Sequence, residues 1–348
     1  MSDTSVQDFY TKQAIEARGP EPHGPSPQRK RRKRLKRIAI ASGASLAVLA
    51  GALVGGSYLY VNHQVSSVQR IHVAALDAKS QAAASPGTEG SVNLLLTASG
   101  WFPGQNTETG LIELLHLNAG QHGGAVISFP ANLVVDVPGH GQIRLGEALS
   151  RGGPSLLIET IERLTGARIE HYSRMVYSGL PEVVGAMGGV YVNVPYPTTS
   201  FGVFFPRGRN LISAGKALPY VRQPGVSQAT RTALQENLFR AIMHKIANKR
   251  YFVGTDWHVL NAVVRAVAVD SDLSNSQLEH LALSLGHLTS RDGVSIDVPT
   301  VGDPNAGFNE PVHLDSRLAR KLWRAVKHDS VAELVRRYPS LVTPGAPG

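Results

Sequence analysis

The segment VDVPGHGQIRLGEALSRGGPSLLIETIERLTGARIEHY, residues 135–172, holds the residue pattern best suited to binding an anion. Pro138, Gly139, His140 and Gly141 form a glycine-rich turn, and Arg144 follows it. Such a turn can present backbone N–H groups to a phosphate while the guanidinium adds charge. Arg231 and Gln235 stand four residues apart in a predicted helix, so both project from one face. The thirteen histidines lack any ligand pattern such as HExxH. His116, His122 and His140 are scattered over predicted strands and turns and read as ordinary surface or turn residues. There is no GxSxG elbow, no Walker loop and no GxGxxG after a strand. With no cysteine in the chain, disulfides and thiolate metal sites are excluded.

Positioning these residues calls for buried strands and helices in alternation. VNLLLT (Val92–Thr97), LIELLHL (Leu111–Leu117) and AVISF (Ala125–Phe129) are short continuous apolar runs suited to buried strands, and Leu133–Val137 adds another. An amphipathic helix is predicted over Pro154–Thr165, ended by Gly166. A strand near His171–Tyr177, a helix near Leu180–Ala186 and a strand at Val190–Pro195 follow. A long helix is expected from Ala229 to Lys249, with Leu234, Leu238, Ile242 and Ile246 on one stripe. Further helices are expected at 257–268, 274–288 and 314–327, and a strand at 294–298. The alternation predicts an α/β domain with a mixed central sheet flanked by helices.

The net charge of +9 is uneven. Residues 1–37 carry ten Lys/Arg against four Asp/Glu, and most of the basic residues fall in Arg29–Arg37. The next 24 residues, Ile38–Val61, contain no charge. That length matches a membrane-spanning helix. The basic run before it and Tyr58 and Tyr60 near its end fit a span with a cytoplasmic N-terminus. The expected organisation is a basic disordered tail over 1–37, a transmembrane helix over 38–61, a stalk or linker over 62–90, an extracytoplasmic domain over 91–340 and a disordered end over 341–348. The basic run then serves as a topology signal or a contact for anionic lipid rather than for nucleic acid.

The chain also resembles the LytR–CpsA–Psr family of bacterial cell-envelope proteins, in the style of its actinobacterial members. The likeness runs through VNLLLTASG, NTETGLIELLHLN, VISFPANLVVDVPG, the segment 135–172, EVVGAMGGVYVNVP, ISAGKALPYVRQ and ATRTALQENL, in family order from Val92 to about Lys249. It continues more weakly through LDSRLARKLWRAVKHD. The resemblance implies a domain that binds a polyprenyl-pyrophosphate-linked glycopolymer in a hydrophobic cleft. It also implies transfer of that polymer to peptidoglycan, usually with magnesium, at the outer face of the cell membrane.

Residue by residue, the resemblance places Arg222 at the first arginine of the family's R-x-R pair and Arg231 at the next arginine, the two catalytic candidates. It places Arg144 where a lysine is usual, so that Arg144, Arg222, Arg231 and Gln235 form the expected pyrophosphate-binding set. Glu108 stands for the aspartate of R-x-D-T and is the candidate metal ligand. The competing readings are that Arg222 and Arg231 are surface arginines, that Gln235 is a plain helix-surface residue and that Glu108 pairs with Arg144. Ser99, Trp101, Asn106, Ala131, Asn132, Pro224, Gln228 and Leu234 stand where the family has charged residues. The expectation is therefore a family protein with degenerate catalytic motifs, either a weak glycopolymer phosphotransferase or a non-catalytic binder of the lipid carrier. A membrane-tethered regulator of envelope gene expression is the reading from a different class.

Overall fold

The computed structural model describes residues 63, 66–77, 90–102, 105–120, 123–224, 226, 228–249, 257–288, 293–301 and 310–342. The tail expected over 1–37 and the transmembrane helix expected over 38–61 lie outside the described residues. No described helix is long and apolar enough to cross a membrane.

The first half of the domain contains β1 (Gln69–Ile71), α1 (Ala74–Asp77), β2 (Val92–Phe102), β3 (Gln105–Leu117), β4 (Gly124–Ser128), β5 (Val134–Val137), β6 (Gly141–Arg144), α2 (Leu145–Thr165), β7 (His171–Val176), α3 (Leu180–Ala186) and β8 (Val190–Val194). Then come β9 (Thr198–Ser200), β10 (Val203–Phe205), β11 (Gly208–Ile212), α4 (Ala214–Val221), α5 (Gln228–Lys249), α6 (Trp257–Ala266) and β12 (Val267–Asp270). The chain ends with α7 (Asn275–Leu288), β13 (Gly293–Asp297), β14 (Thr300–Val301), β15 (His313–Leu314), α8 (Ser316–Lys327) and α9 (Val331–Arg337).

Seven strands form the central sheet in the order β1-β12-β7-β2-β3-β4-β13. It is mixed: β2 pairs with β7 and β4 with β13 in parallel, whereas β3 runs antiparallel to both β2 and β4. The stalk expected over 62–90 thus contributes an edge strand, because Gln69–Ile71 pairs with Ala268–Asp270. At the other end the domain runs slightly past residue 340, since Leu341 is buried and Val342 bridges to Ile296.

The apolar runs read as buried strands are buried on both faces, which explains their lack of alternation. Leu95, Ile112, Leu114 and Ile127 pack under Leu157, Ile158 and Ile161 of α2 and Leu322 and Val326 of α8. Leu94, Leu96, Leu115 and Val126 face the opposite way, towards Phe239 of α5. A third cluster joins β8, α3, α4 and α5 through Val190, Val192, Leu180, Tyr220 and Leu234.

The helix expected from Pro154 is the second half of a longer element that begins at Leu145. Gly152 and Gly153 break it, the latter at φ 65, ψ −163, a conformation that only glycine adopts freely. Pro154 then starts the second segment, where its missing N–H costs nothing.

Candidate functional site

The sheet register gathers chemistry at one edge. β2, β4, β7 and β13 all end there, so Ser128, Tyr177 and Asp297 emerge on the same side. Gly146 N–H donates to the Ala131 oxygen at 2.8 Å, and Leu145 N–H donates to the Leu133 oxygen at 2.8 Å. These bonds fasten the start of α2 to the chain leaving β4. Arg144, half-buried at the N-cap of α2, is thereby brought to this edge. In layered α/β sheets this end is where ligands bind.

Two more arginines come from α4 and α5. Arg222 caps the C-terminus of α4, with its N–H donating to the Leu218 oxygen at 3.0 Å. Arg231 lies in the first turns of α5 and is only 7% exposed. It is close enough to Tyr177 that its charge opposes the strong rise which burial imposes on that phenol. Gln235 is 3% exposed. Its amide donates to the Val221 oxygen at 3.3 Å, tying α5 to the residue before Arg222. The surface readings for Arg231 and Gln235 are therefore overturned: both face inward because α5 packs against α4 and β8 along that side. Arg231 and Gln235 do share a helix face, and it is the buried one.

A cavity of about 300 Å³ opens beside these residues, lined by Pro195, Tyr196, Thr198, Gln223, Thr230 and Leu234. Gln223 follows Arg222 in sequence, and Thr230 precedes Arg231. Thr198 donates to Gln223 Oε1 at 2.9 Å, while Gln223 Nε2 is buried with no hydrogen-bond partner among the described residues. Leu234, standing where the family resemblance led to an arginine, is 3% exposed and makes this wall apolar. Pro224 is exposed, and Asn132 is buried with its Nδ2 donating to the Glu310 oxygen at 2.8 Å.

Beneath α5 lies an ionisable group that sequence reading passed over. Glu113 is 1% exposed within β3, and its Oε1 accepts from Ser128 at 3.5 Å. Its Oε2 is buried without a hydrogen-bond partner among the described residues. Burial pushes its carboxyl up to about 8, with Arg240 pulling the other way and Asp297 adding to the rise. Glu236 of α5 is also driven well above the carboxylate range, first by burial and then by Asp297 and Glu113. Arg240 sits one turn along, 3.7 Å from Glu236. The visible signal was Glu113 itself, a lone acid inside the run LIELLHL. Burial favours the neutral form of both glutamates, which reduces how far they offset the positive charge of the arginines around them.

The metal expectation finds no support in these residues. Glu108 lies on β3, and its side chain is outside the described residues. The described residues contain no group of three or more His, Asp or Glu able to hold a metal.

The histidines divide. His140 is exposed in its turn, and His122 lies outside the described residues. His116, read as a surface or turn residue, is 1% exposed. It bonds to Asn93 Oδ1 at 2.8 Å and to Asp329 at 3.0 Å. Burial lowers its pKa, with Asp329 opposing. The strand run that carries it packs on both faces, so its polar ring had to be satisfied inside.

Known proteins share this architecture. The structure of a LytR-Csp2A-Psr enzyme from Actinomyces oris matches 75% of the chain and 96% of its own, with a TM-score of 0.60 and 20% identity. A structure of TagT bound to LIIa-WTA matches 75% of the chain and all of its own, with a TM-score of 0.58 and 19% identity. In sequence, a probable cell wall biosynthesis protein, LcpB, from Corynebacterium glutamicum is 33% identical over 127 residues, which is 34% of this chain and only 30% of that protein's length. A polyisoprenyl-teichoic acid–peptidoglycan teichoic acid transferase, TagU, from Oceanobacillus iheyensis is 24% identical over 64% of this chain and 73% of its own. The LytR_cpsA_psr family model matches residues 57–317, three quarters of the sequence, and the chain belongs to the LytR-CpsA-Psr family.

Proposed function

We infer that the domain binds a polyprenyl-(pyro)phosphate-linked glycopolymer at the carboxyl edge of the sheet, with Arg144, Arg222 and Arg231 contacting the phosphates. The observation that carries this reading is the cavity whose lining residues Gln223 and Thr230 are the immediate neighbours of Arg222 and Arg231. Guanidinium groups match phosphate oxygens in charge and geometry. Relatives named as teichoic acid transferases, and a family structure bound to LIIa-WTA, support the substrate class. Gln235 acts by positioning: it braces the Val221 carbonyl beside Arg222. The proposed setting is the outer face of the cell membrane, held by the apolar segment 38–61, with peptidoglycan as the acceptor if transfer occurs.

Transfer itself is expected to be weak or absent. Leu234 gives the cavity an apolar wall where the resemblance called for a cation, and Ala131, Asn132 and Pro224 remove further charges. Each lost contact to a phosphoryl transition state typically costs about 100-fold in rate. This observation favours a binder of the lipid carrier over an efficient transferase.

The test is the affinity of the full chain in detergent for undecaprenyl pyrophosphate. Arg222→Ala should weaken it by about tenfold or more, and Arg222→Lys should recover part of the loss. Unchanged affinity in both Arg222→Ala and Arg231→Lys, with circular dichroism showing a native fold, would sink the reading. A parallel assay of radiolabelled polymer transfer to peptidoglycan separates binder from enzyme.

A further inference from the structure

Of the seven large apolar side chains exposed among the described residues, five belong to one stretch: Tyr191, Tyr196, Phe201, Phe204 and Leu211. They sit on a bent antiparallel ribbon. Its base is β8 paired with β11, and its tip is β9 paired with β10. In the register, Tyr191 lies opposite Leu211, Asn193 opposite Arg209, and Thr199 opposite Phe204, all outward-facing and exposed. The reverse of the ribbon is buried through Val190, Val192, Val194, Phe205 and Ile212.

The ribbon is held rigidly, so its exposed aromatics are not an accident of a loose loop. Asn210 Nδ2 donates to the Pro206 and Gly208 oxygens at 2.7 and 2.8 Å, fixing the bend. Phe205 packs edge-on against Tyr220, with centroids 5.4 Å apart. Asn237 Nδ2 of α5 donates to the Asn193 oxygen at 2.9 Å.

The tip is unusual. Phe201 and Gly202 link the two short strands with φ of 48° and 77°. Left-handed values at both central positions are ordinarily filled by Asn-Gly. A phenylalanine there is strained, and at 62% exposed it returns little to the fold.

Charge identifies what covers this face. No Asp or Glu lies between Glu182 and Glu236, while five Lys/Arg do. Arg207 and Arg209 are exposed on the ribbon itself, and the Arg209 guanidinium lies 3.9 Å from the Tyr191 ring centroid. Protruding Phe, Tyr and Leu beside arginines, without an acid, match the interfacial layer of an anionic bilayer. A glycan partner would call instead for carboxylate acceptors beside the rings, and the stretch from Tyr191 to Leu211 holds no Asp or Glu.

We propose that the β8–β11 ribbon is a membrane-docking wedge that inserts Phe201 and Phe204 into the headgroup layer of an anionic phospholipid bilayer, with Arg207 and Arg209 on lipid phosphates. The proposal stands apart from the arginine site at the sheet edge and does not need it. Docking would, however, bring the neighbouring cavity, which Tyr196 lines, close to the lipid surface.

Because the chain has no cysteine, one introduced thiol is labelled uniquely. Full-length Phe201→Cys, Phe204→Cys and, as an exposed reference, Asp272→Cys would carry nitroxides after reconstitution into vesicles. The vesicles would be neutral phosphatidylcholine or contain about 30% phosphatidylglycerol. Labels at 201 and 204 should lose collisions with aqueous nickel chelate by about threefold or more in anionic vesicles, at the depth of an interfacial contact. The label at 272 should stay exposed, and Arg207→Glu with Arg209→Glu should restore exposure at 201 and 204. Labels equally exposed in every vesicle would overturn the proposal. So would protection that survives the double charge reversal, or protection produced by soluble peptidoglycan fragments without lipid.

Discussion

Ser128 and Glu113 face each other across β4 and β3, hydroxyl to carboxyl at 3.5 Å, in a row that Asp297 of β13 completes. This row lies under α5, where Glu236 and Arg240 close it. Burial raises the Glu113 pKa from 4.5 to about 8. The folded protein therefore keeps a proton that the unfolded chain has released between those values. Stability from this group is complete below pH 4.5 and is lost as pH rises through about 8. Glu113→Gln should flatten this limb and stabilise the protein at pH 8 by on the order of a few kcal/mol, as read from urea unfolding at several pH values.

Gln235 offers a test of positioning. Gln235→Met keeps its volume but drops the bond to the Val221 oxygen. The expected cost is about 1 to 2 kcal/mol in urea unfolding, the usual penalty for a buried acceptor left alone. If Gln235 also sets the end of α4, affinity for undecaprenyl pyrophosphate should fall in the same variant while Arg222 stays in place.

His116 joins β3 to the turn after α8 through Asp329 and holds Asn93 on β2. His116→Phe should lower stability by about 2 to 3 kcal/mol, because two buried or half-buried oxygens lose their partner. Thermal unfolding by calorimetry measures this directly. Pyrophosphate binding should be unchanged, because no residue of the arginine site touches this ring.

Asp315 caps α8, accepting from the Arg317 and Leu318 N–H groups at 3.0 and 3.1 Å. Asp315→Ala should cost about 1 kcal/mol. Asp315→Asn should restore most of it, which would assign the effect to the cap rather than to charge.

Much of the architecture was legible in the sequence because its strands are continuous apolar runs bounded by turns. Val92, Leu111 and Ala125 each open or fall in a strand that the structure contains, and Leu234, Leu238 and Ile242 of the expected α5 stripe are buried, the side chain of Ile246 lying outside the described residues. The elements that were missed carry weaker signals. Pro219 lies inside α4 and reads as a breaker, yet it falls in the helix of a short, well-packed segment. The strands β9, β10 and β11 are only three to five residues long, and Pro197, Gly202, Pro206 and Gly208 interrupt the stretch that holds them. β1 was hidden in a polar stretch because an edge strand needs few apolar residues. At the site, the family resemblance pointed to Arg222 and Arg231, and the glycine-rich turn also to Arg144, but burial did not follow from spacing. Arg231 and Gln235 turned inward because the buried face of α5 is wider than the line through Leu234, Leu238 and Ile242. The Glu113 row stayed hidden because its members come from four elements far apart in sequence.

The strand order β1-β12-β7-β2-β3-β4-β13 also dictates a timetable. The four inner strands are complete once residue 176 has been made, but their outer neighbours, Val267–Asp270 and Gly293–Asp297, are the last of the sheet to leave the ribosome. A nascent chain stopped short of them carries a half-built sheet with two bare rims, the geometry that invites strand-to-strand sticking between molecules. Truncations before residue 267 should accordingly be found in aggregates or degraded, whereas the completed chain seals both rims itself.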